Sequence, residues 1–256
     1  LSNKVCRKKQ ELYDYGNFHF VACSQWLEHQ ARESALLRHS RLTSIPNPID
    51  TRIFCPQDRR EARRILHLPD DKRIILFAAQ QATDRRKGAH LLIEALNKLH
   101  ATDNRLAQNT AVAVLGSHGD ELSQQIALPT YPLGYVSGDK NLATVYNAAD
   151  LFVLPSMEDN LPNTIMEALA CGVPCVGFDI GGIPEMIDHK ENGYVARAGD
   201  TDDLAKGIKW VLGEADTEQL QHACLSKVAR CYSQSSVARR YAEVYAYAKA
   251  HNRLPL

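Results

Sequence analysis

Continuous apolar runs along this chain alternate with stretches whose apolar residues recur every three to four positions. Arg73 to Ala79 is one such run, as expected of a strand with both sheet faces covered. Ala111 to Gly116, Leu151 to Leu154 and Cys175 to Phe178 read as further strands, with shorter ones at Leu133 to Val136 and Tyr194 to Ala196. Between them the period changes. From Gly88 to His100, Leu92, Ala95, Leu96 and Leu99 share one stripe, the mark of an amphipathic helix. Asn141 to Ala149, the stretch from Asn163 to Gly172-Val173-Pro174, Asp202 to Leu212 and Thr217 to Ala229 are helical as well. A last helix, Ser235 to Ala250, places Val237, Tyr241, Val244, Tyr245 and Ala248 on one face. Strands alternating with helices predict an α/β fold built on a Rossmann-like, doubly wound parallel sheet. Ligands of such sheets bind at the carboxyl edge.

The segment from Leu154 to Glu185 gathers polar chemistry at that edge. Its strand stops at Pro155; Glu158, Asp159, Asn160 and Asn163 follow, and a helix opens near Asn163. The free N–H groups and positive dipole end of such a helix suit a phosphate. Glu167 lies one to two turns in, and a carboxylate there can accept two neighbouring hydroxyls together. Gly181-Gly182 and Pro184-Glu185 come after the next strand. Asp84-Arg85-Arg86-Lys87-Gly88 leaves the first strand of the sheet and precedes a helix, which puts cations at the same edge.

PSMEDNLPNTIMEALACGVPCV followed by GGIPEMI resembles the donor-site signature of the family-4 glycosyltransferases, retaining enzymes of the two-domain GT-B fold. That signature reads P-S-x-x-E, seven residues, E-A-x-A-x-G-x-P-V, and then G-G-x-x-E. Counted from Pro155, its acids fall on Asp159 and Glu167. The first is one methylene shorter than the family norm, and Glu158 precedes it. The D-N-x-P-N wording resembles a subset of bacterial polysaccharide-assembly transferases. The resemblance implies that Glu167 holds the ribose of a nucleoside-diphosphate sugar and that Asp159 contacts the sugar hydroxyls near the reacting carbon. Lys87 matches the family's K-G and implies a cation for the departing diphosphate. Where many relatives carry G-R after the first strand, this chain has Ala79-Gln80-Gln81, so a second cation comes from Arg85 or Arg86. Asn160, Leu161 and Asn163 offer backbone N–H groups, and Thr164 either a hydroxyl to phosphate or a plain helix cap. Gly116 and Tyr135 border the base pocket, Tyr135 as a stacking ring or as packing. Gly182 permits close backbone approach to the donor, and Glu185 either touches the donor or caps the next helix.

Composition adds limits. The formal net charge is zero, which leaves no footprint for nucleic acid or an anionic membrane. No apolar run nears the ~20 residues of a bilayer span. Seven cysteines show neither paired metal spacing nor a disulfide framework, so the chain reads as reduced and cytoplasmic, with at most peripheral contact at the inner face of a membrane. The histidines lack ligand spacing, and the resemblance implies no protein-bound metal or cofactor beyond the donor substrate.

The same resemblance sets the expected organisation. Residues 1–44 match the end of an acceptor-binding lobe, 45–50 a linker, 51–234 the donor-binding domain and 235–256 a crossover helix. The expectation is the donor-binding half of a longer hexosyltransferase-type enzyme, inactive alone, whose acceptor is a growing polysaccharide or lipid-linked glycan. Two other classes share part of this pattern. A dinucleotide-dependent dehydrogenase requires G-x-G-x-x-G after its first strand, where this chain has Ala78-Ala79-Gln80-Gln81. A non-catalytic sugar-nucleotide-binding module remains the alternative.

Overall fold

The computed structural model describes residues 2–16, 18–81 and 84–251. The expected limits at Leu1 and at 252–256 lie outside the described residues. Helix α1 (Ser2–Tyr15) leads to strand β1 (His19–Ala22), helix α2 (Gln25–Glu33) and strand β2 (Arg41–Ser44). The two strands pair in parallel, from His19 with Arg41 to Ala22 with Ser44. The main sheet holds β3 (Arg73–Gln81), β4 (Thr110–Ser117), β5 (Thr130–Gly134), β6 (Leu151–Leu154), β7 (Cys175–Phe178) and β8 (Gly193–Ala196). Its spatial order is β5-β4-β3-β6-β7-β8, and every pairing is parallel. The order reverses between β3 and β6, which makes the carboxyl ends of those strands the topological switch point.

Period-two alternation assigns each strand residue to one of two cores. Ile74, Leu76, Ala78, Ala111, Ala113, Phe152 and Leu154 face one side. There they meet α3 (Arg59–Ile65), α7 (Asp139–Ala148), α8 (Asn163–Ala170) and α11 (Thr217–Cys231). Ile75, Phe77, Val112, Val114, Leu151 and Val153 face the other, covered by α4 (Ala89–Thr102), α5 (Asn104–Gln108), α6 (Gly119–Ser123) and α10 (Thr201–Lys209). Burial on both faces is what the unbroken apolar runs require.

Local signals set many ends. Asp200 and Asp216 cap α10 and α11 by accepting backbone N–H groups of the first turn. At the end of α8, Gly172 takes a left-handed φ of 76°. The Gly172 N–H reaches Leu169 O (3.0 Å) and the Val173 N–H reaches Ala168 O (2.9 Å), a complete Schellman stop.

Three expectations are corrected. The strand foreseen at Leu133 to Val136 lies at Thr130–Gly134; it includes Pro132 because β5 is an edge strand, where a missing N–H is tolerated. The helix foreseen through Leu212 is regular only to Lys209 and widens into a π turn at Trp210–Glu214. Val211 and Leu212 stay buried through the change, so the apolar pattern could not register it. Helix α12 (Gln234–His251) buries Val237 and half-buries Tyr241, Val244 and Ala248, but Tyr245 is exposed. Its inner face meets the small sheet: Arg240 donates to Ser44 O, and Tyr247 lies under the Arg41 guanidinium at 4.9 Å. Beside α12, the segment 45–50 returns along the main domain through a 2.9 Å bond from Ile49 N–H to Tyr232 O. The short helix α9 (Ile183–Met186) follows the glycine pair after β7.

Candidate functional site

Parallel strands bring their outgoing loops to one edge, and the sequence-derived residues all leave from it. Lys87 follows β3, Gly116 is the second-last residue of β4, Tyr135 follows β5, and Asp159 to Thr164 follow β6. Glu167 sits in α8, and Gly182 follows β7. The loops after β3 and β6 are joined at the switch point. The Met157 N–H donates to Arg86 O at 2.8 Å, and Lys87 Nζ lies 3.0 Å from Asp159 Oδ2. Both side chains are partly exposed, Asp159 the less so.

The two arginines beside Lys87 part ways. Arg86 is exposed and clamped to Asp84, Nη2 to Oδ2 at 2.9 Å; that guanidinium and the Arg86 N–H hold the Asp84 carboxyl below the usual carboxylate range. Arg86 is thus engaged within its own turn. Arg85 is exposed as well.

Helix α8 opens without a side-chain cap after Pro162. Thr164 is its second residue, so the capping alternative for Thr164 is set aside. The first N–H groups of the helix have no intrahelical partners by geometry, and Asn163 is exposed there. Leu161 is buried at the base of the loop. Glu167 lies four residues beyond Asn163, hence on the same helix face, with its side chain leaning toward the N-terminus. Its Oε2 accepts a 2.7 Å hydrogen bond from the Tyr146 hydroxyl on α7. Burial pushes the Glu167 carboxyl above its ordinary range; the Tyr146 bond opposes this and nearby Asp139 adds to it. Burial, then the Glu167 charge, raises the Tyr146 hydroxyl well above the ordinary phenol value. Tyr146 was not singled out in the sequence, although its position in a helix facing α8 was the available signal.

Gly181 and Gly182 are required by packing between loops. A Cβ on Gly181 would lie 1.8 Å from Asp159 O, and one on Gly182 2.0 Å from Asn160 O. The glycine pair therefore lets the turn after β7 press on the backbone of the Asp159 loop. Tyr135 is 78% exposed, which removes the packing alternative for its ring. Gly116 is buried.

Glu185 caps a helix, but not the next one. Its carboxylate accepts from the backbone N–H groups of Gln25 (2.8 Å) and Trp26 (2.7 Å) at the start of α2. Next to it, the Ser24 hydroxyl donates to Asn160 Oδ1, and Asn160 Nδ2 lies 2.9 Å from Cys23 Sγ. No spacing rule connects residues so distant in sequence. Among the described residues, no three His, Cys, Asp or Glu side chains are grouped to hold a metal ion, and no helix is long and apolar enough to cross a membrane.

Residues 58–224 match the family model for glycosyl transferases group 1. An uncharacterised glycosyltransferase of Methanocaldococcus jannaschii is 29% identical over 74% of this chain and 48% of its own length. The D-inositol 3-phosphate glycosyltransferase of Thermobispora bispora is 27% identical over 89% of this chain and 56% of its own. The chain thus spans about half the length of these curated relatives. Among solved structures, a glycosyltransferase from Rickettsia africae superposes with a TM-score of 0.80 at 19% identity, covering 98% of this chain and 69% of that one. HepE of Anabaena, solved with UDP and glucose, gives a TM-score of 0.74 at 20% identity over 96% of this chain and 67% of that one. The fold is that of the GT-B glycosyltransferases, and the chain belongs to the glycosyl transferases group 1 family.

Proposed function

We propose that this chain is the donor-binding half of a retaining glycosyltransferase that moves a hexose from a nucleoside-diphosphate sugar to a hydroxyl of a growing polysaccharide or lipid-linked glycan. The observation that carries the reading is the meeting of Lys87 and Asp159, 3.0 Å apart, at the switch point of the sheet and in the loops that flank the α8 N-terminus. HepE holds UDP and glucose on the same fold, which supports a nucleoside diphosphate as the donor's handle.

In this reading the diphosphate lies against the open N–H groups of α8, with Asn160, Leu161 and Thr164 beside it. Glu167, oriented by Tyr146, accepts the ribose hydroxyls, and the base lies toward Gly116 and Tyr135. Asp159 orients the sugar. As the bond from the anomeric carbon to the diphosphate oxygen breaks, Lys87 leaves Asp159 to balance the charge gathering on the leaving group. Arg85 or Arg86 adds a second cation, Arg86 only after releasing Asp84. The acceptor hydroxyl forms the new bond on the face from which the diphosphate departs and passes its proton to the departing diphosphate oxygen. No protein-bound metal takes part. The acceptor and its lobe lie beyond residues 1–44, which form the edge of that lobe, and 235–256 cross back to it. The reaction takes place in the cytoplasm, with the enzyme at most peripheral to the membrane.

Calorimetry of the 256-residue chain against a panel of nucleotide sugars tests the reading. One or a few of them bind, and Glu167→Ala weakens that binding by about 1.5–3 kcal/mol. The chain alone transfers no sugar, because a two-lobed cleft must close to exclude water. Binding by the chain without turnover by the full-length protein identifies a non-catalytic module instead, and no binding at all refutes both.

A further inference from the structure

We infer that Glu185 is a positioning residue, and that its grip on the start of α2 holds the Asp159 loop in the geometry that faces Lys87. The inference rests on the donor-site reading above and adds a part to it. Helix α2 opens with N–H groups that its own turns cannot satisfy. The Ser24 hydroxyl takes that of Leu27 at 3.0 Å, and the two Glu185 oxygens take those of Gln25 and Trp26. A carboxylate on two backbone donors at the positive end of a helix is a charge-assisted, two-point attachment. It fixes the direction of the α2 axis as well as its place. With α2 held so, Ser24 stands where its hydroxyl serves twice, accepting from Leu27 and donating to Asn160. Asn160 adds its amide to Cys23 Sγ and is the residue next to Asp159.

The other side of the loop is closed by the turn that carries Glu185. Gly181 and Gly182 press on the carbonyl oxygens of Asp159 and Asn160, and the Ser24 Cβ is 3.2 Å from where a Gly182 Cβ would stand. The Asp159–Asn160 backbone is therefore pinned between the β1–α2 corner and the β7–α9 turn. Glu185 joins those two. Its own carbonyl receives the Tyr232 hydroxyl at 3.4 Å, beside the bridge from Ile49 to Ser233. The Glu185 carboxylate thus couples the donor loop to the start of α2, while its backbone carbonyl meets the place where the chain passes between the small sheet and the main domain. Both oxygens are engaged, so Glu185 acts through α2 and the loop and not by touching the donor.

The test uses Glu185→Ala and the milder Glu185→Gln in the 256-residue chain, read by amide hydrogen exchange and by UDP-glucose titration. Loss of a simple helix cap raises exchange only at Gln25, Trp26 and their helix neighbours. Positioning also raises exchange at the Met157 N–H, which is bonded to Arg86 O in the loop that carries Asp159, by about fivefold or more at unchanged global stability. Glu185→Gln keeps one acceptor oxygen and is intermediate. UDP-glucose affinity falls about tenfold in Glu185→Ala, and its effect with Asn160→Ala is less than additive. Wild-type exchange at Met157 in both variants overturns the inference, whether or not UDP-glucose binds. Failure of the wild-type chain to bind any sugar nucleotide overturns the donor-site reading instead, and the exchange at Met157 still decides the role of Glu185.

Discussion

The hydroxyl of Tyr146 in α7 donates a 2.7 Å hydrogen bond to Glu167 in α8. This bond holds in place an acid whose charge the fold otherwise disfavours. Burial raises the Glu167 carboxyl above its ordinary value of 4.5, and the phenol offsets only part of that.

The sign of the linkage follows. Glu167 binds its proton more tightly in the folded chain than in the unfolded one, so its ionisation works against folding. The penalty is absent below the unfolded value, grows as pH rises through it toward the folded value, and is full above. Glu167→Gln is therefore more stable than wild type at about pH 7 and loses that advantage near about pH 4, while donor affinity falls. Denaturant midpoints at the two pH values check this; an advantage that grows toward acid contradicts it.

Lys87→Ala separates stability from chemistry. Its ion pair with Asp159 is partly exposed, so the fold loses less than about 1 kcal/mol. In the full-length enzyme, turnover falls by about 10²–10³, the range for removing one group that stabilises transition-state charge. Steady-state kinetics beside thermal melts make the comparison, and an equal fall in stability and rate argues for a structural lysine.

Gly181→Ala drives a Cβ to within 1.8 Å of Asp159 O at a φ of 60°. We expect a loss of more than about 1 kcal/mol in stability and a matching loss of donor affinity. Gly213→Ala, with no atom within 4 Å of the added carbon, stays within about 0.5 kcal/mol of wild type and binds donor unchanged.

The opposite edge of the sheet supplies a contrasting case. Asp150, which precedes β6, is nearly buried. It accepts from Arg63 (2.6 Å), Arg59 (2.8 Å) and the Ile74 N–H (2.6 Å). Removing it leaves the buried Arg63 guanidinium without its counter-charge, so Asp150→Ala costs about 3–5 kcal/mol. Because this cluster ties the amino ends of the strands, donor affinity measured well below the melting temperature is unaltered.

Hydrophobic period alone identified the central strands and the longer helices that cover them. The runs at Arg73 to Ala79 and Leu151 to Leu154 had to be central strands, since a residue pattern without a polar face leaves no side for water. The stop at Gly172-Val173-Pro174 was equally legible, because a left-handed glycine closes a helix by local bonds. Those same elements place Lys87, Asp159, Glu167 and Gly182 at one edge, so most of the candidate site is legible in the sequence. The strand foreseen at Leu133 to Val136 starts three residues earlier, at Thr130–Gly134, and its place at the sheet edge is what makes Pro132 harmless there. What tertiary structure decided are the pairings between side chains far apart in the chain. Arg86 turns to Asp84 while Lys87 reaches Asp159, Tyr146 finds Glu167, and Glu185 seats α2 from about 160 residues away. Period and local capping act over a turn or two of chain, so the sequence determines which elements form and which end carries the chemistry. Which polar groups then satisfy one another depends on how the packed elements lie, because a hydrogen bond is decided within a few tenths of an ångström.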